Sequence, residues 1–441
     1  MAQSIYPTYF TAPVLDQYLV YAPLQGFSVI LNENRLRQLE SLRFGTHEEI
    51  EPVISEIAQR LDCPAVAPER PEGKIKAPLF LGLITTRGCN MSCRYCDFNA
   101  PEDSHNDMEL GLARASIDAY LHLLAEHGVS QGEVQFFGGE PFFRSSVVEF
   151  ALSHAHNRAG QMGIAIKFNV TTNGLMTERR AAWVADNFDT VVLSLDGITF
   201  QDHQRPSRNG GASYPIVHRT AKILSEGRTD LTIRACITDE STAQMPALAY
   251  EFARTYILSA VCFEPLTESR LSRANGLLPP DPVQFAREFC QAEDVLKPYG
   301  IDAISSGTDI DSLQASFCPV GKDALLVSPS GSICACYLME SDWMRAGLDL
   351  KFGRISRSSP EFFLELEKLE AIRRLARHTA PLCERCLCRY HCAGGCYVNH
   401  RSIQRASQYD SVCIRTRLIT IGKLLKRMEA LELYHRWLDS L

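Results

Sequence analysis

The sequence predicts an α/β protein built on a parallel sheet, and two observations carry that prediction. Between Ala77 and about Pro265, six short apolar stretches alternate with helical ones: LFLGLIT, EVQFFGG, IAIKFNVTTNG, TVVLSLDG, TIRACIT and AVCFEPL are spaced by segments such as ARASIDAYLHLLAEHG and SSVVEFALSHAHNRAG. Strands joined by helical crossovers form a parallel sheet, either open or curved into a partial barrel. Secondly, the polar motifs of this region stand at strand ends, where ligands gather in such sheets.

The flanking regions follow from their patterning. In residues 1–76, YLVYAPLQGFSVIL alternates like a hairpin and NENRLRQLESL and EEIEPVISEIAQRL have helical spacing, so a small α+β unit is expected, closed by the Pro-rich run CPAVAPERPEGK. Residues 77–265 form the sheet region, and 266–315, with SRANGLLPPDP, read as a linker or bridge. A cysteine-rich region covers 316–415, and 416–441 ends the chain on one amphipathic helix within IRTRLITIGKLLKRMEALELYHRWL.

With 441 residues, two or three cores are expected. A net charge of -7 gives no general attraction to phosphate backbones or anionic lipid, so neither nucleic acid nor a membrane is an expected partner. No stretch approaches the roughly 18 consecutive apolar residues of a membrane span, and MAQSIYPTYF lacks the order of a signal peptide; a cytoplasmic location is expected. In that reducing compartment sixteen cysteines argue for metal ligation rather than disulfides. Cys63, Cys236, Cys262 and Cys290 are scattered and read as small buried hydrophobes.

Cys89, Cys93 and Cys96 lie in TTRGCNMSCRYCDFNA, directly after the first strand of the sheet. Thiolates converging from one tight loop suit a 4Fe-4S cluster, with one iron left without a protein ligand. A structural zinc loop is the alternative, but it needs a second ligand pair, and no nearby Cys or His supplies one. With Tyr95 before the third cysteine, the motif resembles the radical S-adenosylmethionine superfamily over residues 77 to 265. That resemblance implies a partial (β/α)6 barrel, S-adenosylmethionine chelated to the open iron, and its reductive cleavage to a 5'-deoxyadenosyl radical that abstracts a substrate hydrogen.

Gly138, Gly139, Glu140 and Pro141 follow a strand; the glycines let backbone carbonyls approach a ligand closely and Glu140 can pair with an ammonium. The four are similar to the family's GGEP motif for the methionyl amine, although GGE also suits an ordinary strand-to-helix turn. TTNG (Thr171 to Gly174, with Asn173) and SLDG (Ser194 to Gly197) offer small polar contacts for ribose and carboxylate, and each is also a common turn signal. By resemblance Ser194 touches the ligand, while Asp196 supports the loop or faces the substrate. Arg234 resembles the arginine that meets the methionyl carboxylate; a structural ion pair is the alternative. The stretch DGITFQDHQRPSRNGGASY, with His203 and Arg205, resembles a subgroup that modifies peptides and proteins, and composition alone predicts a solvated loop there.

Cys318, Gly331, Cys336, Cys383, Cys386, Cys392, Cys396 and Cys413 resemble the pattern of the SPASM domain, named for subtilosin, pyrroloquinoline quinone, anaerobic sulfatase and mycofactocin maturation members. The resemblance implies two auxiliary 4Fe-4S clusters, three clusters in all. Cys318, Cys336 and Cys396 serve the first auxiliary cluster, and Cys383, Cys386, Cys392 and Cys413 the second. The first lacks an obvious fourth ligand, since the position six residues after Cys318 is Ala324; Cys334 fills it, or the site stays open. Cys388 is a spare thiol. A pair of structural zinc sites is the alternative.

The expected activity is maturation of a ribosomally made peptide by an oxidative thioether or carbon-carbon cross-link. A flavodoxin- or ferredoxin-type reductant would supply electrons, and the N-terminal unit would dock a leader by strand addition or act as a stabilising cap. A sulfatase-maturing enzyme is the second reading; relatives carry Asp where this chain has Tyr337. A non-catalytic iron-sulfur or zinc scaffold has no use for GGEP, TTNG and SLDG. Asp196, His203 and Tyr337 are the candidates for lining the substrate cavity.

Overall fold

A computed structural model describes residues 9–44, 49–96, 106–318, 322–375, 381–398 and 408–441. The N-terminal unit is a three-stranded antiparallel sheet, β1 (Phe10–Val14), β2 (Gln17–Ala22) and β3 (Phe27–Leu31), followed by helices Glu33–Phe44 and Pro52–Leu61. β1 was not evident in the sequence because Pro13 interrupts its pattern; it is tolerated because β1 is an edge strand. One face of this sheet, with Val20, Ala22 and Leu31, packs on Leu36, Leu39, Ile54 and Leu61. The other, with Phe10, Ala12, Val14 and Leu19, packs on Leu387, Ile421, Leu424 and Trp437. The unit therefore sits on the C-terminal region, and Tyr21 Oη lies 2.7 Å from His391 Nε2 across that contact.

The six predicted strands are β4 (Leu81–Thr86), β5 (Gln131–Gly138), β6 (Ala165–Thr172), β7 (Thr190–Ser194), β8 (Asp230–Ile237) and β9 (Ala260–Pro265), all parallel in sequential order. In β8, Leu231, Ile233, Ala235 and Ile237 are buried under helices whereas Thr232, Arg234 and Cys236 are not. The same alternation runs through β5, β6 and β7 and marks a sheet curved around an open lumen.

The stretch expected as a bridge contributes more than a connection. Helix Pro282–Leu296, with Phe285 and Phe289 fully buried, packs on helices Met245–Thr255 and Ser411–Arg427. It leads to β10 (Asp302–Ile304), a seventh parallel strand beside β9. At the opposite edge β11 (Leu325–Val327) pairs parallel with β4, and β12 (Ser332–Cys334), β13 (Lys351–Ser356) and β14 (Ser359–Leu364) continue antiparallel, so one eleven-stranded sheet runs from the barrel into the cysteine-rich region. Arg373, 1% exposed, fastens this region by donating to Asp323 at 2.6–2.9 Å and to Gly73 O at 2.7 Å.

The final helix expected from the sequence is two, Ser411–Arg427 and Leu431–Asp439. Glu429 lies between them at φ 57°, a left-handed conformation that ends an α-helix. Cys290 is buried as expected, but Cys63 is exposed, because it follows the last turn of helix Pro52–Leu61 into the Pro-rich run. Cys236 and Cys262 are half-buried on the lumen face. Among the described residues no helix is long and apolar enough to cross a membrane.

Candidate active site

The loop carrying Cys89, Cys93 and Cys96 leaves the end of β4 and is held from two sides; residues 97–100 of its motif lie outside the described residues. On one side the GGEP turn after β5 docks on its start: Gly139 N donates to Thr86 O and Glu140 N to Gly88 O, both at 2.9 Å. A Cβ at Gly138 would lie 2.3 Å from Thr86 O, and one at Gly139 would lie 2.3 Å from Gly88 O. Both glycines are thus required by backbone-on-backbone packing within the protein, a use the ligand-approach reading did not include. On the other side, Ser92 N donates to Pro206 O, Arg94 N to Gln204 O, and Arg208 N to Asn90 O, each at 2.9 Å. The segment that composition would make a solvated loop is a brace along the cysteine loop.

Glu140 is 2% exposed. Its Oε1 accepts from Thr172 Oγ1 (2.8 Å) and Phe142 N (3.1 Å), and its Oε2 from Asn173 N (2.7 Å). Burial pushes its pKa up to about 7 against the pull of these hydrogen bonds. Asn173 in turn donates to Cys89 Sγ at 3.5 Å and to Asn90 Oδ1 at 2.8 Å, and Met91 N donates to Cys89 Sγ at 3.4 Å. GGEP, TTNG and the first cysteine are therefore one connected polar network.

Asp196, 1% exposed, is a second hub. Its Oδ2 accepts from Tyr95 Oη (2.9 Å) and Arg205 Nε (2.8 Å), and its Oδ1 from Cys236 N (2.9 Å). Arg205 also lies over the Tyr95 ring, 5.1 Å from its centroid. Sequence reasoning placed Arg205 in the subgroup-like stretch but gave it no role at the site; a single arginine in a polar stretch carries no spacing signal, and its fold partners supply the role. Of Asp196's two expected roles, these contacts favour loop support.

Ser194 stands beside Arg234 in the β7/β8 register, and Arg234 beside Cys262 in β8/β9. Arg234 stands on the exposed face of β8, and against desolvation by the surrounding protein the nearby Glu264 charge, with Cys262 and Cys236, raises its pKa. Glu264, a lumen carboxylate the sequence did not flag, accepts from Ser306 Oγ at 2.5 Å and Cys262 Sγ at 3.5 Å. Tyr337 donates to Gln135 Oε1 at 2.8 Å and its ring centroid lies 4.4 Å from that of Phe137, placing it against the barrel wall. His203 does not join this group. It is exposed on helix Gly197–Gln204, its Nδ1 3.2 Å from Arg94 Nη1.

The C-terminal thiols form two nests. Cys336 is within electrostatic reach of Cys318, Cys396 and Cys334. Cys392 is within reach of Cys383 and Cys386, with Cys413 beside it. Cys392 and Cys396 thus diverge over four residues, and the chain turns between them through Ala393 (φ 47°), Gly394 (φ 91°) and Gly395 (φ 77°). Cys334 is buried with its thiol directed to Leu326 O (3.7 Å) and Cys336 O (3.4 Å). Cys388 is not loose: it is buried and donates to Thr420 Oγ1 at 3.3 Å, beside Cys386, whose pKa is brought down to about 6 by the neighbouring Cys388 thiol and the Arg417 charge.

Among the described residues no three His, Cys, Asp or Glu side chains converge as on a single metal ion. The donors are soft thiols, and N–H groups are aimed at Cys89 and Cys386, as iron-bound sulfurs accept them. Burial holds Cys89, Cys336 and Cys392 up at about 12, so these thiols lose their protons to a metal rather than to water. The residues fit iron-sulfur clusters.

Comparison with known proteins agrees. Residues 83–252 match the radical SAM superfamily, and residues 318–387 match an iron-sulfur cluster-binding domain of SPASM type. A cysteine-type anaerobic sulfatase-maturating enzyme of Clostridium perfringens is 21% identical over 324 residues, 70% of this chain and 86% of that one. Mycofactocin maturase MftC of Mycolicibacterium smegmatis is 24% identical over 74% of this chain and 80% of its own. An uncharacterised Methanocaldococcus jannaschii protein is 29% identical, but the match spans only 36% of this chain and 53% of that protein. In fold, the chain is similar to native anSMEcpe with bound AdoMet (TM-score 0.58, 17% identity, 82% of this chain and 100% of that one). It is also similar to Streptococcus suis SuiB bound to precursor peptide SuiA (TM-score 0.54, 15% identity, 93% and 100%). The chain thus carries a radical SAM domain followed by a C-terminal SPASM domain. These are the domains of an enzyme, and they imply iron-sulfur clusters and S-adenosylmethionine as its cofactors.

Proposed function

We propose that the enzyme is a peptide maturase that cleaves S-adenosylmethionine reductively and uses the resulting radical to abstract a hydrogen from a ribosomally made peptide, leading to a thioether or carbon-carbon cross-link. When bound, the iron-sulfur clusters supply the electron for cleavage and accept the electron the substrate gives up. Cys89, Cys93 and Cys96 hold one cluster, and the two C-terminal nests hold two more. Glu140 receives the methionyl amine and Arg234 its carboxylate, with Ser194 and Asn173 completing the polar wall. Asp196, Arg205 and Tyr95 hold the cysteine loop in place.

The observation that carries this reading is a single contact. Arg87, two residues before Cys89, donates to the carbonyl of Tyr337, the residue after Cys336, at 3.2 Å. The two cysteine-bearing loops therefore lie side by side, which supports oxidative chemistry on a peptide held between them. Residues 1–76 are the unit for a leader segment, with β3 an edge strand of the three-stranded sheet among the described residues. The reductant is of flavodoxin or ferredoxin type.

Similarity to the sulfatase-maturating enzymes favours a second reading, formylglycine formation. It needs a base near the auxiliary loop. Tyr337 is committed to Gln135, and Glu264 and Glu133, on the lumen-side faces of β9 and β5, are the candidate carboxylates.

Iron and acid-labile sulfide on anaerobically reconstituted protein test the cofactor reading: about twelve irons, falling to about eight when Cys89, Cys93 and Cys96 are Ala, are expected for three cubane clusters. Zinc at the C-terminal nests would overturn it. A short peptide encoded beside the gene should then lose two hydrogens per cross-link without gaining an aldehyde; hydrazide-reactive product would establish the second reading instead.

A further inference from the structure

The nest of Cys383, Cys386, Cys392 and Cys413 has cationic neighbours that a cysteine pattern does not require. Arg417, one helical turn beyond Cys413 on helix Ser411–Arg427, lies over the Tyr409 ring at 4.4 Å from its centroid. Its Nη1 donates to Tyr409 Oη at 3.2 Å and to Cys386 Sγ at 3.6 Å. The ring and the phenol oxygen together fix the guanidinium on the sulfur. Arg415, two residues earlier, is within electrostatic reach of Glu264 and Asp410 and, more weakly, of Cys392 and Cys413. Two carboxylates oppose them: Glu264 beside Arg415, and Asp410, which caps the helix by accepting from Cys413 N at 2.9 Å.

An iron-sulfur group gains negative charge on reduction, and N–H···S bonds and nearby cations stabilise the reduced form most where solvent is scarce. We infer that Arg417, assisted by Arg415, raises the reduction potential of the group held by this second nest and so makes the nest an electron-accepting station; the inference rests on the auxiliary-cluster reading above. Arg417 is a positioning and tuning residue and touches no substrate.

The test is an EPR-monitored redox titration of the Cys89/Cys93/Cys96→Ala protein, which removes the catalytic signal, alone and with Arg417→Gln, Arg417→Lys or Arg415→Gln. With iron and sulfide unchanged, one of the two remaining signals should move to a more negative midpoint in Arg417→Gln. The shift should be smaller in Arg417→Lys, which keeps the charge without the fork, and in Arg415→Gln. Unshifted midpoints at full iron content would overturn the inference. So would loss of iron in both Arg417 variants, which would make Arg417 an assembly residue. Absence of a second signal in the parent protein would instead strike the auxiliary-cluster reading itself.

Discussion

Replacing Asp196 by Asn separates support from chemistry at the barrel mouth. The carboxylate accepts from Tyr95 Oη, Arg205 Nε and Cys236 N, all within 2.9 Å, at a site 1% exposed. Asn keeps one acceptor oxygen, turns an NH2 toward donors, and leaves Arg205 buried without a counter-charge. Breaking a buried pair on one side costs about 3–5 kcal/mol. The segments tied down are the cysteine loop and its brace, so the loss falls on local opening rather than on the whole fold. The amides of Ser92 and Arg94, which donate to Pro206 O and Gln204 O, and that of Cys236 should exchange roughly two to four orders of magnitude faster. Native-state hydrogen exchange on the apo chain reads this directly, and iron retention should fall with it. If all three amides keep their protection to within about tenfold, iron loads normally and turnover alone is lost, Asp196 acts on substrate and the support argument fails.

Glu140 gives a pH signature. Burial raises its pKa from the ordinary 4.5 to about 7, so the folded chain binds a proton between those values that the unfolded chain does not. Stability from this group is full below about pH 4.5 and is lost as pH rises to about 7, a fall of roughly 3 kcal/mol in apo-protein urea unfolding that Glu140→Gln should abolish. In cluster-loaded protein the sign reverses for ligand: an amine needs the ionised form, so S-adenosylmethionine affinity should rise across pH 6–8, and a flat profile would remove Glu140 from that role. Gly139→Ala drives a Cβ to within 2.6 Å of two backbone carbonyls of the cysteine loop; a loss of about 1–3 kcal/mol and weaker iron binding should appear together, by denaturation and iron assay. Arg373→Met leaves Asp323 unpaired and should cost about 3–5 kcal/mol, whereas Arg373→Met with Asp323→Leu should recover most of it.

The barrel was legible because each strand is a short apolar run and each crossover has helical period, both local properties. What escaped depended on distant partners. β10 is three residues long and exists because β9 offers it an edge, and the break at Glu429 rests on one backbone conformation inside an unbroken amphipathic pattern. At the site, spacing exposed the cysteines and GGEP, since their chemistry is set by neighbours in sequence. Arg205, Glu264 and Arg417 each have a partner far along the chain, Asp196, Ser306 and Cys386, and no spacing pattern marks them. The half-exposure of Cys236 and Cys262 was hidden for a related reason: a strand shows which residues alternate, not that one face looks into an open lumen.

The turn between Cys392 and Cys396 has a bearing on how the protein matures. Three successive left-handed residues, one of them the non-glycine Ala393, reverse the chain so that thiols four positions apart serve different nests. Such a backbone is costly to hold without the groups on either side of it, at about 1 kcal/mol or more for Ala393 alone. On the proposal that each nest holds a cluster, filling either would fix one end of the turn and so lower the ordering cost of the other. Delivery of iron and sulfide to the C-terminal domain is then expected to be cooperative, with half-filled molecules scarce at sub-stoichiometric supply.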